Sequence, residues 1–416
     1  MKLKSLFQND PEIGKLIQKE IIRQQNTLIL IPSENYPSLS VLEAQASVFT
    51  NKYAEGYPGK RYYQGCRWVD EIESIAIERA KKLFGVEHAN VQVHSGTGAN
   101  IAVYEALLKP GDKILSLNLS HGGHLSHGVE GSISFRHYKI VNYGVDKESE
   151  QFNMEEVKKV AKREKPTLII VGASAYPRKI EFKPWREIAD EVGAYLLVDA
   201  AHIMGLIAAK VHPDPVPYAD VVTATTQKTL RGPRGGLILS KKKFANIIDK
   251  AVFPGTQGGP FMHIVAAKAV CFKEAMKPSF KEYGKQIILN SKSLADTLKE
   301  EGFRLVTGGT DNHLLLLDLS PLGLTGKKAA SLLEEAGIIV NKNCIPFDPL
   351  PPSITSGIRL GTPALTTRGM KQEEMKLIGR WISIILHAPE DKLKRKKIKA
   401  EVEELCQSFP IYRELL

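Results

Sequence analysis

Lys228 lies in Thr225-Thr226-Gln227-Lys228-Thr229-Leu230-Arg231-Gly232-Pro233-Arg234-Gly235-Gly236, between an apolar run and a loop rich in Gly and Pro. An amine held where its charged form is disfavoured becomes a covalent catalyst, and pyridoxal phosphate captures such amines as imines. Taken alone, the segment more often describes an exposed loop lysine. A second group ends another apolar run, Val198-Asp199-Ala200-Ala201-His202. A carboxylate there can pair with a protonated pyridine nitrogen, and His202 can pack on a ring or hydrogen-bond its oxygen. A strand-end cap beside a core histidine has the same look. Asp199 and Lys228 are 29 residues apart, which is one strand–helix unit plus a strand, so both fall at the same edge of a sheet.

Other segments gain meaning in that company. His94-Ser95-Gly96-Thr97-Gly98-Ala99-Asn100 opens an expected helix, 98–108. Amides at a helix start, with small hydroxyl residues, make an anion site suited to a phosphate, although a plain N-cap reads alike. The run Asn51 to Tyr63, NKYAEGYPGKRYY, is too dense in tyrosine and charge to be solvent-facing filler. Two more segments join it, LSHGGHLSH at 119–127 and SGIRLGT at 356–362. In the latter, Arg359 can offer a bidentate fork to a carboxylate.

The elements that must position these groups follow from periodicity. Short Val/Ile/Leu runs at 113–117, 167–172, 195–199, 220–225 and 236–240 read as buried strands, with helical patterns at 154–164 and 184–192 between them. This predicts an α/β fold with a largely parallel sheet covered on both faces, where ligands bind beyond the carboxyl ends of the strands. Helices are expected at 11–25 and 70–84, with an irregular stretch at 27–63. After residue ~280 the pattern changes to a helix at 281–302, strands at 303–307 and 313–319, a helix at 327–336, a strand near 338–341 and final helices. We read residues 1–26 as a helical arm, 27–280 as a large cofactor-binding domain and 281–416 as a smaller α+β domain.

Bulk properties narrow the class. The 416 residues carry a net charge of +11, and much of the excess falls at Lys392, Lys394, Arg395, Lys396, Lys397 and Lys399. That run has no interleaved aromatics, so it reads as a solvated helix face, and no nucleic-acid partner is expected. Cys66, Cys271, Cys344 and Cys406 are scattered, which argues against a zinc site or a disulfide framework and suits a reducing cytosol. The opening residues show no signal-peptide core, and no apolar stretch approaches the ~20 residues of a membrane span. A cytoplasmic protein with no metal and no membrane partner is expected.

Together the segments NKYAEGYPGKRYY, LSHGGHLSHG, VDAAH, KTLRGPRGG, VFPGTQGGP, GGTDNH and SGIRLGTPA resemble the serine hydroxymethyltransferase family, in that family's order and from about residue 10 to 415. The resemblance implies the fold type I architecture of pyridoxal phosphate enzymes and active sites shared across a homodimer, with a tetramer also open. It implies Lys228 as the Schiff-base lysine, Asp199 as the partner of the pyridine nitrogen, and His124 stacked on the ring. Ser174 and His202 would lie near the phenolic oxygen, and Ser95, Gly96 and Thr97 would hold the phosphate, joined across the dimer by Tyr53 and Gly259. Arg359, with Tyr63 and Ser33, would grip the substrate carboxylate, while Glu55 from the neighbouring subunit would handle proton transfer. Leu119, Gly123, Leu125 and Asn343 match folate-pocket positions. The implied reaction moves the serine hydroxymethyl group to tetrahydrofolate, giving glycine and methylenetetrahydrofolate.

Departures from the family pattern cluster on the folate side: Gln227 where histidine is usual, Ser353 for an aromatic, and an altered stretch at 129–136. Thr97-Gly98 and Ala200 are milder changes. They leave open a paralogue with another acceptor, either a folate-independent aldolase or transaldolase or an α-methylserine hydroxymethyltransferase. Retention of Lys228, Asp199, His202, Arg359 and Glu55 argues against a catalytically silent binding or regulatory homologue.

Overall fold

The apolar runs of the sequence form the middle of a seven-stranded sheet in a computed structural model that describes residues 4–415. In chain order its strands are β1 (His88–Asn90), β2 (Lys113–Leu117), β3 (Lys139–Tyr143), β4 (Leu168–Val171), β5 (Tyr195–Asp199), β6 (Val221–Thr225) and β7 (Gly236–Ser240). Their spatial order is β1-β7-β6-β5-β4-β2-β3. Only β7 runs antiparallel to its neighbours. β4, β6 and β7 are buried at every position, because helices cover both faces of a parallel sheet and leave no polar side to alternate.

The expected strands are all present to within a residue or two. The two that sequence patterning does not reveal, β1 and β3, are the sheet edges, short or polar enough to escape an apolar-run criterion. The helix Gly96–Leu107 (α1) lays Ala99, Ala102, Val103 and Tyr104 on Ile114, Leu168, Ile170 and Leu197 of the sheet. Burial of this face fixes where the helix start lies relative to the strand ends.

The sheet belongs to a compact unit spanning Asn35–Lys285; the chain up to Glu34 and from Gln286 onward makes a second unit. This division is offset by several residues from the boundaries expected at 27 and 280. Its physical basis is the parallel pairing of Leu28–Ile29 with Ile338–Ile339, which builds the N-terminal residues into the second unit. That unit holds a four-stranded antiparallel sheet of Arg304–Leu305, Leu314–Asp318, Gly357–Gly361 and Asn341–Asn343. Its core includes Leu294, Leu317, Ile358, Leu360, Ile378 and Trp381. The strand expected at 303–307 stops after Leu305, since Thr307 takes a left-handed φ of 60° inside a tight turn. In the basic helix Lys392–Ser408, Arg395 is buried against Glu335 at 2.8 Å, while its lysine neighbours are exposed.

The stretch expected to be irregular contains the helix Leu39–Gln45 and a miniature hairpin, Gly56–Tyr57 paired with Lys60–Arg61. Two-residue strands cannot hold themselves, and here Arg61 does it. Its guanidinium donates to Ala54 O and Gly56 O (both 2.8 Å), to Asp70 Oδ1 (2.7 Å) and to Glu73 Oε2 (2.6 Å). Asp70 and Glu73 lie on the helix Arg67–Phe84 (α2), and Glu73 is fully buried. Replacing Arg61 by Met strands that carboxylate, so unfolding free energy should fall by about 3–5 kcal/mol. Adding Glu73→Gln should recover part of it; denaturant curves showing Arg61→Met as stable as wild type would refute this account.

Candidate active site

Asp199 ends β5, buried at 9% exposure, and is met by donors from three directions. His127 Nε2 donates to Oδ2 at 2.9 Å, Asn100 Nδ2 donates to the same oxygen at 2.8 Å, and the Ala201 amide reaches Oδ1 at 3.0 Å. Burial alone would raise the pKa of this carboxyl. The hydrogen bond and charge of His127, the charge of His124 and the Asn100 amide outweigh it and hold the group well below the usual carboxylate range. Asp199 is therefore a fixed negative charge at neutral pH, at the carboxyl end of a parallel strand.

The donors are themselves held. Asn100, on the buried face of α1, accepts from Thr223 of β6 at 2.6 Å, so its amide must turn NH2 toward Asp199. It also donates to Ser126 Oγ at 2.9 Å, and Ser126 meets His124 Nδ1 through its hydroxyl (2.7 Å) and its amide (3.2 Å). The ligating atoms of His124, His127 and Asp199 lie within 4.8 Å of one another, but those of His127 and Asp199 already bond each other. His127, Asn100, Ser126 and Thr223 carry no role in the sequence reading. The available signals were modest: a second histidine three residues after His124, and polar residues at buried positions of an apolar helix and strand.

Lys228 follows β6 in a loop tied across its base by Thr226 N to Gly235 O (3.1 Å) and Gly232 N to Thr226 O (2.7 Å). Asn35 Nδ2 holds the Lys228 carbonyl at 3.0 Å, and Thr229 Oγ1 reaches the His202 carbonyl at 2.9 Å. The loop after β6 is thus stitched to the turn after β5. Gln227 uses its amide oxygen to accept from Gly235 N at 3.4 Å, a clamp within the same loop. His202 is buried, and Ser174 is half-buried after β4, its amide bonded to Gly122 O at 2.8 Å.

The helix start lies against these strand ends. Ser95 caps α1, its Oγ accepting from Gly98 N at 3.0 Å, which leaves the amides of Gly96 and Thr97 at the positive end of the helix. A side chain at Gly236 would come within 2.3 Å of Ser95 O, and one at Gly96 within 2.6 Å of Thr225 Cγ2. Only glycine permits that approach. The residues fit pyridoxal phosphate: an ionised carboxylate for the ring nitrogen, an amide-lined helix start for the phosphate and a lysine on the adjoining loop.

Tyr53, Glu55, Tyr63 and Gly259 gather in a separate cluster around the hairpin. The Tyr53 and Tyr63 rings are 5.6 Å apart, and a Cβ at Gly259 would lie 3.5 Å from the Tyr53 ring and 3.6 Å from Glu55 Cγ. Tyr53 is 63% exposed. Leu119 and Gly123 lie in the turns after β2, followed by Leu125, which is exposed.

In the second unit, Arg359 is buried on Gly357–Gly361, with Nε donating to Asn341 Oδ1 at 3.2 Å. Burial lowers its pKa to about 10, so it stays charged at neutral pH. Ser33 is half-buried, and Asn343 lies opposite Gly357 in the neighbouring strand.

The family model described as serine hydroxymethyltransferase matches residues 6–382. A serine hydroxymethyltransferase of Coprothermobacter proteolyticus is 59% identical over 413 residues, covering 99% of each chain. The chain belongs to the serine hydroxymethyltransferase family and has its pyridoxal phosphate fold type I architecture.

Proposed function

We propose that this protein reversibly transfers the hydroxymethyl group of serine to tetrahydrofolate, yielding glycine and methylenetetrahydrofolate, with pyridoxal phosphate bound to Lys228. The observation that carries the reading is the ionised, triply hydrogen-bonded Asp199 at the end of β5, on the edge shared with the Lys228 loop and the start of α1. When bound, the cofactor supplies an electron sink for the charge left at Cα as the Cα–Cβ bond of serine breaks.

The side chains supply the rest. Asp199 keeps a proton on the ring nitrogen, and His127 and Asn100 prevent that carboxylate from turning away or taking the proton itself. His124, fixed by Ser126, offers a ring face for stacking, while Ser174 and His202 serve the phenolic oxygen. Ser95, Gly96 and Thr97 bind the phosphate through the helix start. Arg359 fixes the substrate carboxylate as a fork, assisted by Ser33 and Tyr63, and so sets which Cα bond is aligned for cleavage. Glu55 moves the proton at the serine hydroxyl or the folate nitrogen. Leu119, Gly123, Leu125 and Asn343 line the folate side.

The functional assembly in this reading is a homodimer or a dimer of dimers. Val48, Tyr53, Tyr62, Trp68 and Phe261 are large apolar groups 49–77% exposed, and Tyr53 belongs to the same cluster as Glu55 and Gly259. A second copy covering them would bring Tyr53, Glu55 and Gly259 to its own cofactor site. The cytoplasm is the proposed location, in keeping with four free cysteines. Among the described residues, no helix is long and apolar enough to cross a membrane.

Purified protein given serine should form glycine only when tetrahydrofolate is added, and allo-threonine should be cleaved without it. Glycine from allo-threonine but never from serine plus folate would refute the acceptor. Asp199→Ala orphans the buried donors of His127 and Asn100, so it should cost about 1–3 kcal/mol in stability of the cofactor-free protein and abolish glycine formation. Retained turnover would remove Asp199 from the mechanism. Glu55→Gln should lower kcat by about 10²–10⁴. Co-expressed with Lys228→Ala, it should recover about a quarter of wild-type activity, since each hybrid dimer holds one intact site. No recovery would show that Glu55 serves its own chain.

A further inference from the structure

Among the described residues, Lys268 is the one lysine in the set of largest fully buried side chains, at 1% exposure on the helix Met262–Ala275 (α3). Its Nζ donates to Val91 O at 2.7 Å and to Val93 O at 3.0 Å. Those carbonyls belong to the extended segment that leaves β1 and runs through His94 into the Ser95 cap of α1. The Val93 carbonyl also accepts from Gly236 N at 3.0 Å, the first residue of β7. On its other side, the stem of Lys268 fills the space where Gly235 would carry a side chain: a Cβ there would lie 2.5 Å from Lys268 Cε. Gly235 in turn closes the base of the loop that carries Lys228.

We propose that Lys268 is a positioning residue for the phosphate end of the cofactor site, clamping the Val91–Val93 carbonyls so that the Ser95–Gly98 helix start and the Lys228 loop keep a fixed separation. This rests on the function proposed above. A buried amine is an expensive way to join two backbone segments, because burial disfavours its charged form and lowers its pKa to about 7. A methionine or leucine would fill the same volume without that cost, but neither donates to the two carbonyls. The second support comes from Gln257, whose amide donates to Gln92 O at 2.9 Å and accepts from His94 N at 3.4 Å. With Lys268 holding the Val91 and Val93 carbonyls, four successive residues before the cap, Val91 to His94, are tied by side chains. A segment that only linked a strand to a helix would not need them.

The role separates from general stability through the cofactor's two ends. Cofactor-free protein should be titrated with pyridoxal phosphate and, separately, with pyridoxal, following the absorbance of the bound chromophore. Lys268→Met removes both hydrogen bonds and should weaken pyridoxal phosphate by about tenfold or more, while pyridoxal changes by less than about threefold. Lys268→Gln, which keeps a donor, should fall between the two and carries the test if Lys268→Met does not fold. Equal losses for both compounds, or no loss for either, would overturn the proposal. If the wild-type protein binds neither compound, the cofactor reading itself fails and this inference with it; the wild-type titration distinguishes the two failures.

Discussion

An ionised carboxylate inside a protein is costly unless donors surround it, and Asp199 makes the large unit converge on that requirement. Its three donors come from the turn after β2, from α1 and from the end of β5, and the orientation of one donor is set by Thr223 on β6. The register of three strands and the placement of one helix are thus coupled to a single carboxylate. A shift of β5 by one residue would send Asp199 to the opposite face and leave His127 and Asn100 buried without an acceptor. What makes the carboxylate useful to a cofactor also makes the fold specific.

The interior of the sheet was legible in the sequence because parallel strands buried on both faces are written as unbroken apolar runs. The edges were not, since Lys139–Tyr143 exposes two of its five residues and His88–Asn90 is too short to show a pattern. Helices with clear amphipathic spacing, such as Met154–Glu164 and Lys183–Val192, matched their expected limits closely. The N-terminal residues were harder to assign, because their allegiance rests on a two-residue pairing with a strand more than 300 positions later. No local pattern encodes such a partner.

A similar divide runs through the candidate site. Lys228, Asp199 and the Ser95 turn announce themselves by chemistry and by position at strand or helix ends. Their supporting residues do not, for Asn100 and His127 reach Asp199 across 99 and 72 residues, and Lys268 reaches Val91 across 177. Asparagine in a helix or lysine before an Ala-Val pair has no signature until the fold supplies its neighbour. Gln227 shows the converse. As a departure from a family pattern it suggested altered chemistry, whereas its side chain closes the loop onto Gly235.

The buried charges differ in how completely they are compensated, and that difference sorts their uses. Arg61 pairs with Glu73 and holds the hairpin backbone, a structural use of charge, although burial still raises the Glu73 pKa above its ordinary value. Asp199 is surrounded by donors that hold its carboxyl well below the usual carboxylate range, which suits the proposed role of keeping a ring nitrogen protonated. Arg359 loses some basicity to burial but remains charged, in keeping with the proposed role of holding a substrate carboxylate. Burial brings the Lys268 pKa to about 7, opposed by the charge of Glu73, while the groups hydrogen-bonded to its amine are two backbone carbonyls. Dipoles stabilise a cation less than a full countercharge does, so a nearby anion would favour the protonated amine and tighten its hold on both carbonyls. In that arrangement, binding a phosphate at the helix start would reinforce the clamp that shapes it.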